Sequence, residues 1–213
     1  MSDASHQELH AGMPVESVLR HLAQLRGDDQ LVITNQSSAR LWPRLSCHPL
    51  DFNYNPSTMG GAVPFAVGLA LAQPQREVVV LSGDGSLLMS LGCLVTVVAS
   101  GVANLTIMLL DNGVYEVTGG QRTPASGLEV DYAGLARAAG FPSVSHFWKL
   151  SDLESRLAEV FAARGPRFLW LEVGPTPREA FQDKHAPITE RLSSFQAALK
   201  LVLERQPDSS QDS

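Results

Sequence analysis

Asp84 lies between two glycines in the stretch "VLSGDGSLLM", which runs from an apolar strand pattern into an apolar helix pattern. Glycine lets the backbone turn sharply and approach a ligand closely, and the first turn of a helix presents unpaired N–H groups that attract anions. Because Asp84 is itself an anion, a phosphate bound at this turn would need a cation between the two. The alternative is an ordinary strand-to-helix turn with Asp84 near the N-cap.

A second polar loop, Asp111-Asn112-Gly113, follows the apolar run "NLTIMLL" at 104–110. If 77–82 and 104–110 are neighbouring parallel strands, both polar loops leave the same edge of the sheet. The competing interpretation is an Asn-Gly hairpin that pairs 104–110 with 114–118. The fully apolar 104–110 favours a strand buried on both faces in the middle of a sheet.

Together the two loops offer the oxygen ligands that a hard cation such as Mg²⁺ prefers. Asp84 would give a carboxylate, Asn112 an amide oxygen, and Val114 a backbone carbonyl. The sequence therefore indicates a crevice in which Mg²⁺ joins the protein to a phosphate-bearing ligand.

The elements that must position these loops alternate between strand and helix patterns along the chain. This alternation predicts an α/β fold with a doubly wound, mostly parallel sheet in a single domain over 1–205, followed by a disordered polar tail at 206–213. The helix at 86–100 is apolar nearly all round, which indicates burial, often against a second chain. Helices are predicted at 14–25, 59–72, 86–100, 131–139 and 151–163, strands at 31–34, 77–82, 104–110, 143–148 and 167–173, and a long loop after "NQSSARLWP".

The composition narrows the classes of partner and compartment. The 213 residues are 44% hydrophobic and carry a formal charge of -6, and no basic cluster tracks a nucleic-acid backbone. The two cysteines are too few and too far apart for a disulfide framework, so a reducing cytoplasm is the expected location. The N-terminus lacks a signal pattern and the most apolar run is interrupted, so no membrane anchor is expected.

At this point the sequence resembles the thiamine diphosphate enzymes, whose cofactor domain carries Gly-Asp-Gly and, a little under thirty residues later, Asn-Asn or Asp-Asn. The separation from Asp84 to Asn112 is 28 positions. With "GDGSLLMSLGCLVT", "ANLTIMLLDN" and "TGGQRT", the chain is similar to the phosphonopyruvate and sulfopyruvate decarboxylase branch over roughly 30–175. The resemblance implies the thiamine diphosphate-binding fold.

The resemblance also implies roles for individual residues. Met59 in "STMGG" matches the large apolar residue that wedges between the two rings of the cofactor, although plain core packing is the alternative. Asn35 stands where the branch usually has Gly before the phosphate loop. The implied metal ligands are Asp84, Asn112 and Val114, and the implied cofactor-binding residues are Ser37, Ser57, Met59, Gly83, Gly85, Ser86, Gly113, Val114 and Tyr115.

By resemblance, the chain is the thiamine diphosphate- and Mg²⁺-binding subunit of a 2-oxo acid decarboxylase, a carbon–carbon lyase. Family members activate the cofactor with a glutamate on a separate pyrimidine-binding domain, so we expect a second subunit beside a homodimer and no activity of the chain alone. Thr118 replaces the glutamate that pyruvate decarboxylases carry after the ligand Asn; Glu116 is nearby, or is a solvated loop carboxylate. Arg40 and Arg122 are candidates for binding a phosphonate or sulfonate tail, or are surface arginines.

Two other functions stay open at this stage. One is the small subunit of an acetolactate-synthase-like carboligase or of a 2-oxo-acid oxidoreductase, although two cysteines cannot supply iron–sulfur chemistry. The other is a regulatory domain that binds the cofactor without turnover. The particular 2-oxo acid does not follow from the sequence, because specificity lies in loops shared with the partner.

Overall fold

The computed structural model describes residues 12–128, 130–182 and 186–203, so the tail predicted at 206–213 lies outside the described residues. Six strands form one parallel sheet in the order β2-β1-β3-β4-β8-β7, and β5 and β6 form a small antiparallel hairpin. The strands are β1 (Leu31–Asn35), β2 (Asp51–Tyr54), β3 (Val78–Gly83), β4 (Leu105–Asp111), β5 (Val114–Tyr115), β6 (Gln121–Arg122), β7 (Ser143–Phe147) and β8 (Arg167–Glu172).

Helices cover both faces of the sheet, which confirms the predicted doubly wound α/β fold. One core packs α3, α5, α6 and α8 on one face, and a second core packs α1 and α7 on the other. The helices are α1 (Val15–Leu25), α2 (Ser38–Leu41), α3 (Ala62–Ala72), α4 (Asp84–Leu88), α5 (Cys93–Ala99), α6 (Tyr132–Ala139), α7 (Leu150–Ala162) and α8 (Ile188–Leu203).

The central strands are apolar on both faces because each face meets a layer of helices. Val80 and Ile107 belong to the first core, whereas Leu81 and Met108, their neighbours in sequence, belong to the second. β4 pairs in parallel with β3 on one side and β8 on the other. The alternative Asn-Gly hairpin from 104–110 to 114–118 is therefore wrong, and β5 pairs with β6 instead.

The continuous helix predicted at 86–100 is also wrong. It is divided into α4 and α5 by a turn in which the backbone N–H of Ser90 donates to Leu87 and that of Cys93 donates to Ser90. Ser and Gly are weak helix formers in helix interiors, which explains the break at "SLG". Met89 and Val95 are 58% and 59% exposed, so the described chain does not bury this segment all round.

β2 and α8 are among the elements that were not expected from the sequence. β2 lies within the predicted long loop and forms one edge of the sheet by pairing with β1. α8 covers β2, and the guanidinium group of Arg191 donates to the carbonyl oxygens of Asn53 and Asn55. The helix predicted at 59–72 begins later, at Ala62, after a turn at Thr58–Gly61.

No helix in the described part of the chain has both the length and the apolar character that a membrane span requires.

Candidate cofactor site

The candidate site lies where the strand order reverses. The chain passes from β1 to β2 on one side and then to β3 on the other side of β1, and ligands of α/β sheets bind in the crevice at such a point. A crevice that is open to solvent lies at this point. The predicted residues that line it are Ser37, Gly83, Asp84, Gly85, Ser86, Asn112, Val114, Tyr115 and Glu116.

Two predicted cofactor residues lie beside the crevice and are not part of its described lining. The hydroxyl oxygen of Ser57 accepts a hydrogen bond of 3.1 Å from the side-chain amide of Gln36, which does line it. Met59 is half-buried and precedes Gly60, whose backbone N–H donates to the Ser86 hydroxyl oxygen at 3.0 Å. Ser57 is therefore linked to the crevice through Gln36, and Met59 through Gly60.

Three further candidates also lie outside the described lining. Gly113 has a positive φ of 70° and continues the loop after the crevice residue Asn112, so its backbone conformation is one that favours glycine. Arg122 is exposed on β6, and Arg40 is half-buried in α2. The structure thus brings the predicted metal ligands together and leaves both arginines outside the crevice.

Asp84 is the first residue of α4 and is only 1% exposed. The hydroxyl group of Thr123 donates to its Oδ2 atom at 2.9 Å. Burial, and then the nearby charge of Asp111, raises the pKa of Asp84 to about 6. Among the described residues no ion pair involves Asp84. A buried carboxylate without a cation is costly, so this position suits the binding of one.

Asp111 brings a second carboxylate to the same edge of the sheet. Burial raises its pKa, and the indole N–H of Trp170 donates to its Oδ2 atom at 2.8 Å. Beside it, the ring of His146 stacks on Trp170 with centroids 3.8 Å apart, and its Nε2 atom lies 2.6 Å from a Glu172 oxygen. This edge of the sheet is therefore strongly acidic.

The side-chain amide oxygen of Asn112 forms a hydrogen bond within its own loop. Its Oδ1 atom accepts the backbone N–H of Val114 at 3.0 Å, which leaves the second lone pair of that oxygen for another partner. The carboxylate of Asp84, this amide oxygen and a backbone carbonyl form an all-oxygen set of the kind that Mg²⁺ prefers. The residues present therefore fit a bound Mg²⁺.

Position 85 must be glycine because the ring of Tyr115 packs against it. A Cβ atom built on Gly85 would lie 2.3 Å from the ring of Tyr115 and 3.2 Å from the methyl group of Thr123. The hairpin of β5 and β6 therefore packs directly on the Gly-Asp-Gly turn. The sequence interpretation assigned this glycine to close approach of a ligand, and the structure adds the packing of Tyr115.

Ser86 is held with its hydroxyl proton available. Its oxygen accepts from the side-chain amide of Asn35 at 3.2 Å and from the backbone N–H of Gly60 at 3.0 Å. Both lone pairs are then used, so the hydroxyl group can donate into the crevice that it lines. Asn35, which departs from the usual Gly of the branch, joins the end of β1 to α4.

Glu116 does not have the environment of a solvated loop carboxylate. Its Oε1 atom accepts the backbone N–H of Thr176 at 2.6 Å, and its Oε2 atom is buried with no hydrogen-bond partner. Both residues line the crevice. Glu116 thus ties the segment after β5 to the segment after β8.

Sequence reasoning missed several residues of the site. Thr123 belongs to the "TGGQRT" motif that supported the resemblance, and that motif was the available signal, yet the residue received no role. Gln36 lies in the crevice with a positive φ of 52°, which is rare for a residue other than glycine and has no clear signature in sequence. Asn35, Ser38 and Thr176 also line the crevice.

Comparison with known families identifies the class of protein to which this fold belongs. Residues 36–171 match the family of the thiamine pyrophosphate enzyme, C-terminal TPP binding domain, and the chain belongs to this family. A solved structure of a candidate thiamin diphosphate-dependent enzyme from Mycobacterium smegmatis superposes with a TM-score of 0.64 and 26% identity, covering 78% of this chain and 32% of that one.

Among curated proteins, the chain is similar to decarboxylases. It is 40% identical to the phosphonopyruvate decarboxylase of Streptomyces viridochromogenes over 76% of this chain and 40% of that protein. It is 39% identical to the sulfopyruvate decarboxylase subunit beta of Methanothermobacter thermautotrophicus over 70% of this chain and 76% of that subunit. The matched region thus spans about two fifths of the phosphonopyruvate decarboxylase.

Proposed function

We propose that this chain is the thiamine diphosphate- and Mg²⁺-binding subunit of a 2-oxo acid decarboxylase. The observation that carries the proposal is the buried carboxylate of Asp84 at the strand-order reversal, with no ion-pair partner in the described part of the chain and beside the amide oxygen of Asn112. Similarity to phosphonopyruvate and sulfopyruvate decarboxylases supports a short 2-oxo acid with an anionic tail as the substrate.

Each residue of the crevice has a task in this proposal. Asp84, Asn112 and the backbone carbonyl of Val114 hold Mg²⁺, and the hydroxyl groups of Ser37 and Ser86 bind the diphosphate. When bound, thiamine diphosphate supplies the electron sink that makes loss of CO₂ from a 2-oxo acid accessible.

The remaining assignments concern the ring end of the cofactor and the substrate. Met59 would lie against the rings of the cofactor, and Ser57, Gly113 and Tyr115 would bind the cofactor from the surrounding loops. Arg40 and Arg122 are the candidates for binding the anionic tail of the substrate. Neither lines the crevice of the described chain, so they would bind the tail only after assembly with the second subunit.

The proposal includes a separate pyrimidine-domain subunit that carries the activating glutamate, and a homodimer of this chain. Similarity to a protein named as a beta subunit supports the first part. The apolar side chains of Leu71 and Val95, which are 56% and 59% exposed on α3 and α5, support a subunit contact. We place the assembled enzyme in the cytoplasm.

The test is CO₂ release from pyruvate, phosphonopyruvate and sulfopyruvate, with Mg²⁺ and thiamine diphosphate present. We expect no release by the isolated chain and release after addition of a pyrimidine-domain subunit. Robust release by the chain alone would contradict the two-subunit proposal and point to Glu116 as the activating carboxylate. Cofactor binding without release in any assembly would favour a regulatory domain.

A further inference from the structure

Thr123 reaches the Gly-Asp-Gly turn from a distant part of the chain. It follows β6, lies 39 positions from Asp84 and is only 3% exposed. Its hydroxyl group donates to the Oδ2 atom of Asp84 at 2.9 Å. This is the side-chain hydrogen bond that joins the β5–β6 hairpin to the turn.

The backbone around Thr123 fixes the position of its hydroxyl group. The N–H of Thr123 donates to the Gly113 carbonyl at 2.9 Å, and the N–H of Ser126 donates to the Thr123 carbonyl at 3.0 Å. On the other side, the Thr123 methyl group lies against Gly85, where an added Cβ would meet it at 3.2 Å. A residue held at both backbone groups and at its methyl group presents its oxygen in one place.

A neutral donor at this position orients the carboxylate without cancelling its charge. An arginine or lysine in the same place would neutralise Asp84 and compete with a metal ion. A hydroxyl group fixes one carboxylate oxygen and leaves the negative charge available, which is what hydrogen-bonded partners of metal-binding carboxylates do. Thr123 therefore orients the Asp84 carboxylate and leaves its negative charge free to bind a cation.

We propose that Thr123 is a positioning residue for the metal: its hydroxyl group holds the Asp84 carboxylate in the orientation that binds Mg²⁺, and it joins the β5–β6 hairpin to that site. This inference rests on the proposed function, because it takes Asp84 as a ligand of Mg²⁺. Its consequence is that the metal site is built from three segments of the chain, the third being the hairpin that carries Tyr115.

The test compares Thr123→Val, Thr123→Ser and the control Thr34→Val by calorimetric titration of Mg²⁺ in the presence of thiamine diphosphate. Thr34 is a matched control because it is fully buried and its hydroxyl oxygen has no hydrogen-bond partner. We expect Thr123→Val to weaken the apparent Mg²⁺ affinity by about tenfold to a hundredfold. Thr123→Ser should restore it to within about threefold, and Thr34→Val should leave it unchanged.

A folded Thr123→Val protein that binds Mg²⁺ as tightly as the wild type would overturn the inference. If Thr123→Val does not fold, Thr123→Ala and Thr123→Ser make the same comparison, since they differ by one hydroxyl group; equal affinities of these two would also overturn it. If the wild-type chain shows no Mg²⁺-dependent binding of thiamine diphosphate, alone or with its pyrimidine-domain subunit, the proposed function fails and the inference fails with it. The wild-type titration thus separates the two failures.

Discussion

The two ends of the parallel sheet treat buried charge in opposite ways. At the end where the strands begin, the guanidinium group of Arg167 pairs with the carboxylate of Glu77, and Thr106 bonds to both. At the end where the strands finish, Asp84 and Asp111 have neutral donors, and no ion pair within the described residues includes either of them. The first arrangement balances its own charge, whereas the second leaves a negative charge that suits the binding of a cation.

The hydrogen bonds at the first end form a closed network. The Arg167 Nε atom donates to the Thr106 hydroxyl oxygen at 3.0 Å and its Nη1 atom to the Ala163 carbonyl at 3.0 Å, while the Thr106 hydroxyl group donates to Glu77 at 2.7 Å. At the second end, burial raises the pKa of both Asp84 and Asp111, which is the sign of charge held at a cost. The comparison therefore predicts opposite results for substitutions at the two ends.

The largest effect is expected for Asp84→Asn. This change removes the carboxylate ligand and keeps the side-chain size, so we expect Mg²⁺-dependent affinity for thiamine diphosphate to fall by about a thousandfold, about 4 kcal/mol. Calorimetry would then detect no binding. The melting temperature of the metal-free protein should stay the same or rise, because a buried charge is removed. Wild-type affinity in this variant would show that Asp84 is a structural residue only.

The next effect is expected at the other end of the sheet, for Arg167→Met. Glu77 would lose its partner, and breaking a buried pair costs about 3 kcal/mol, which lowers the melting temperature by about 6–12 °C in a chain of this size. Cofactor affinity of the folded protein should not change. Arg137→Met, at an exposed position on α6, is the control and should shift stability by less than about 0.5 kcal/mol. A loss of affinity in Arg167→Met would remove the distinction between the two ends.

The sequence predicted which residues meet at the end where the strands finish better than it predicted those at the end where the strands begin. Asp84 and Asn112 follow apolar strands directly, so the parallel topology alone brings them to one edge. The pairing of Glu77 with Arg167 joins residues 90 positions apart, and the bond from Thr123 to Asp84 spans 39 positions, so neither leaves a local pattern. Such contacts depend on register and loop path, which residue periodicity does not specify.

Local patterns also failed where tertiary contacts decide the structure. β2 has a short, half-buried segment without alternation, and it becomes a strand because β1 offers an edge and α8 covers it. The apolar run at 86–100 satisfies a helical pattern throughout, but Ser90 and Gly92 allow the chain to turn between α4 and α5. The hydrophobic pattern thus located the apolar segment at 86–100 but missed both its internal turn and β2, which depend on weaker propensities and on packing.

The smallest effect is a pH dependence that only the end of the sheet with Asp84 should produce. In the metal-free protein the folded-state pKa of Asp84 is about 6, against an ordinary value of 3.8 in the unfolded chain. A carboxyl group with a raised pKa binds its proton more tightly in the folded state, so its contribution to stability is full below pH 4 and is lost as the pH rises through 6. The loss is roughly 2–3 kcal/mol, from about two units of pKa.

Chemical denaturation of wild type and Asp84→Asn in a chelator, from pH 4 to pH 7, measures this contribution. The free energy of unfolding of the variant should exceed that of the wild type by an amount that grows over this window, because asparagine does not titrate. Saturating Mg²⁺ and thiamine diphosphate should reverse the trend in the wild type, since the metal binds the ionised carboxylate and stabilises the folded state most at high pH. Parallel curves for the two proteins would mean that the charge of Asp84 is already balanced within the fold, and the contrast between the two ends of the sheet would then be lost.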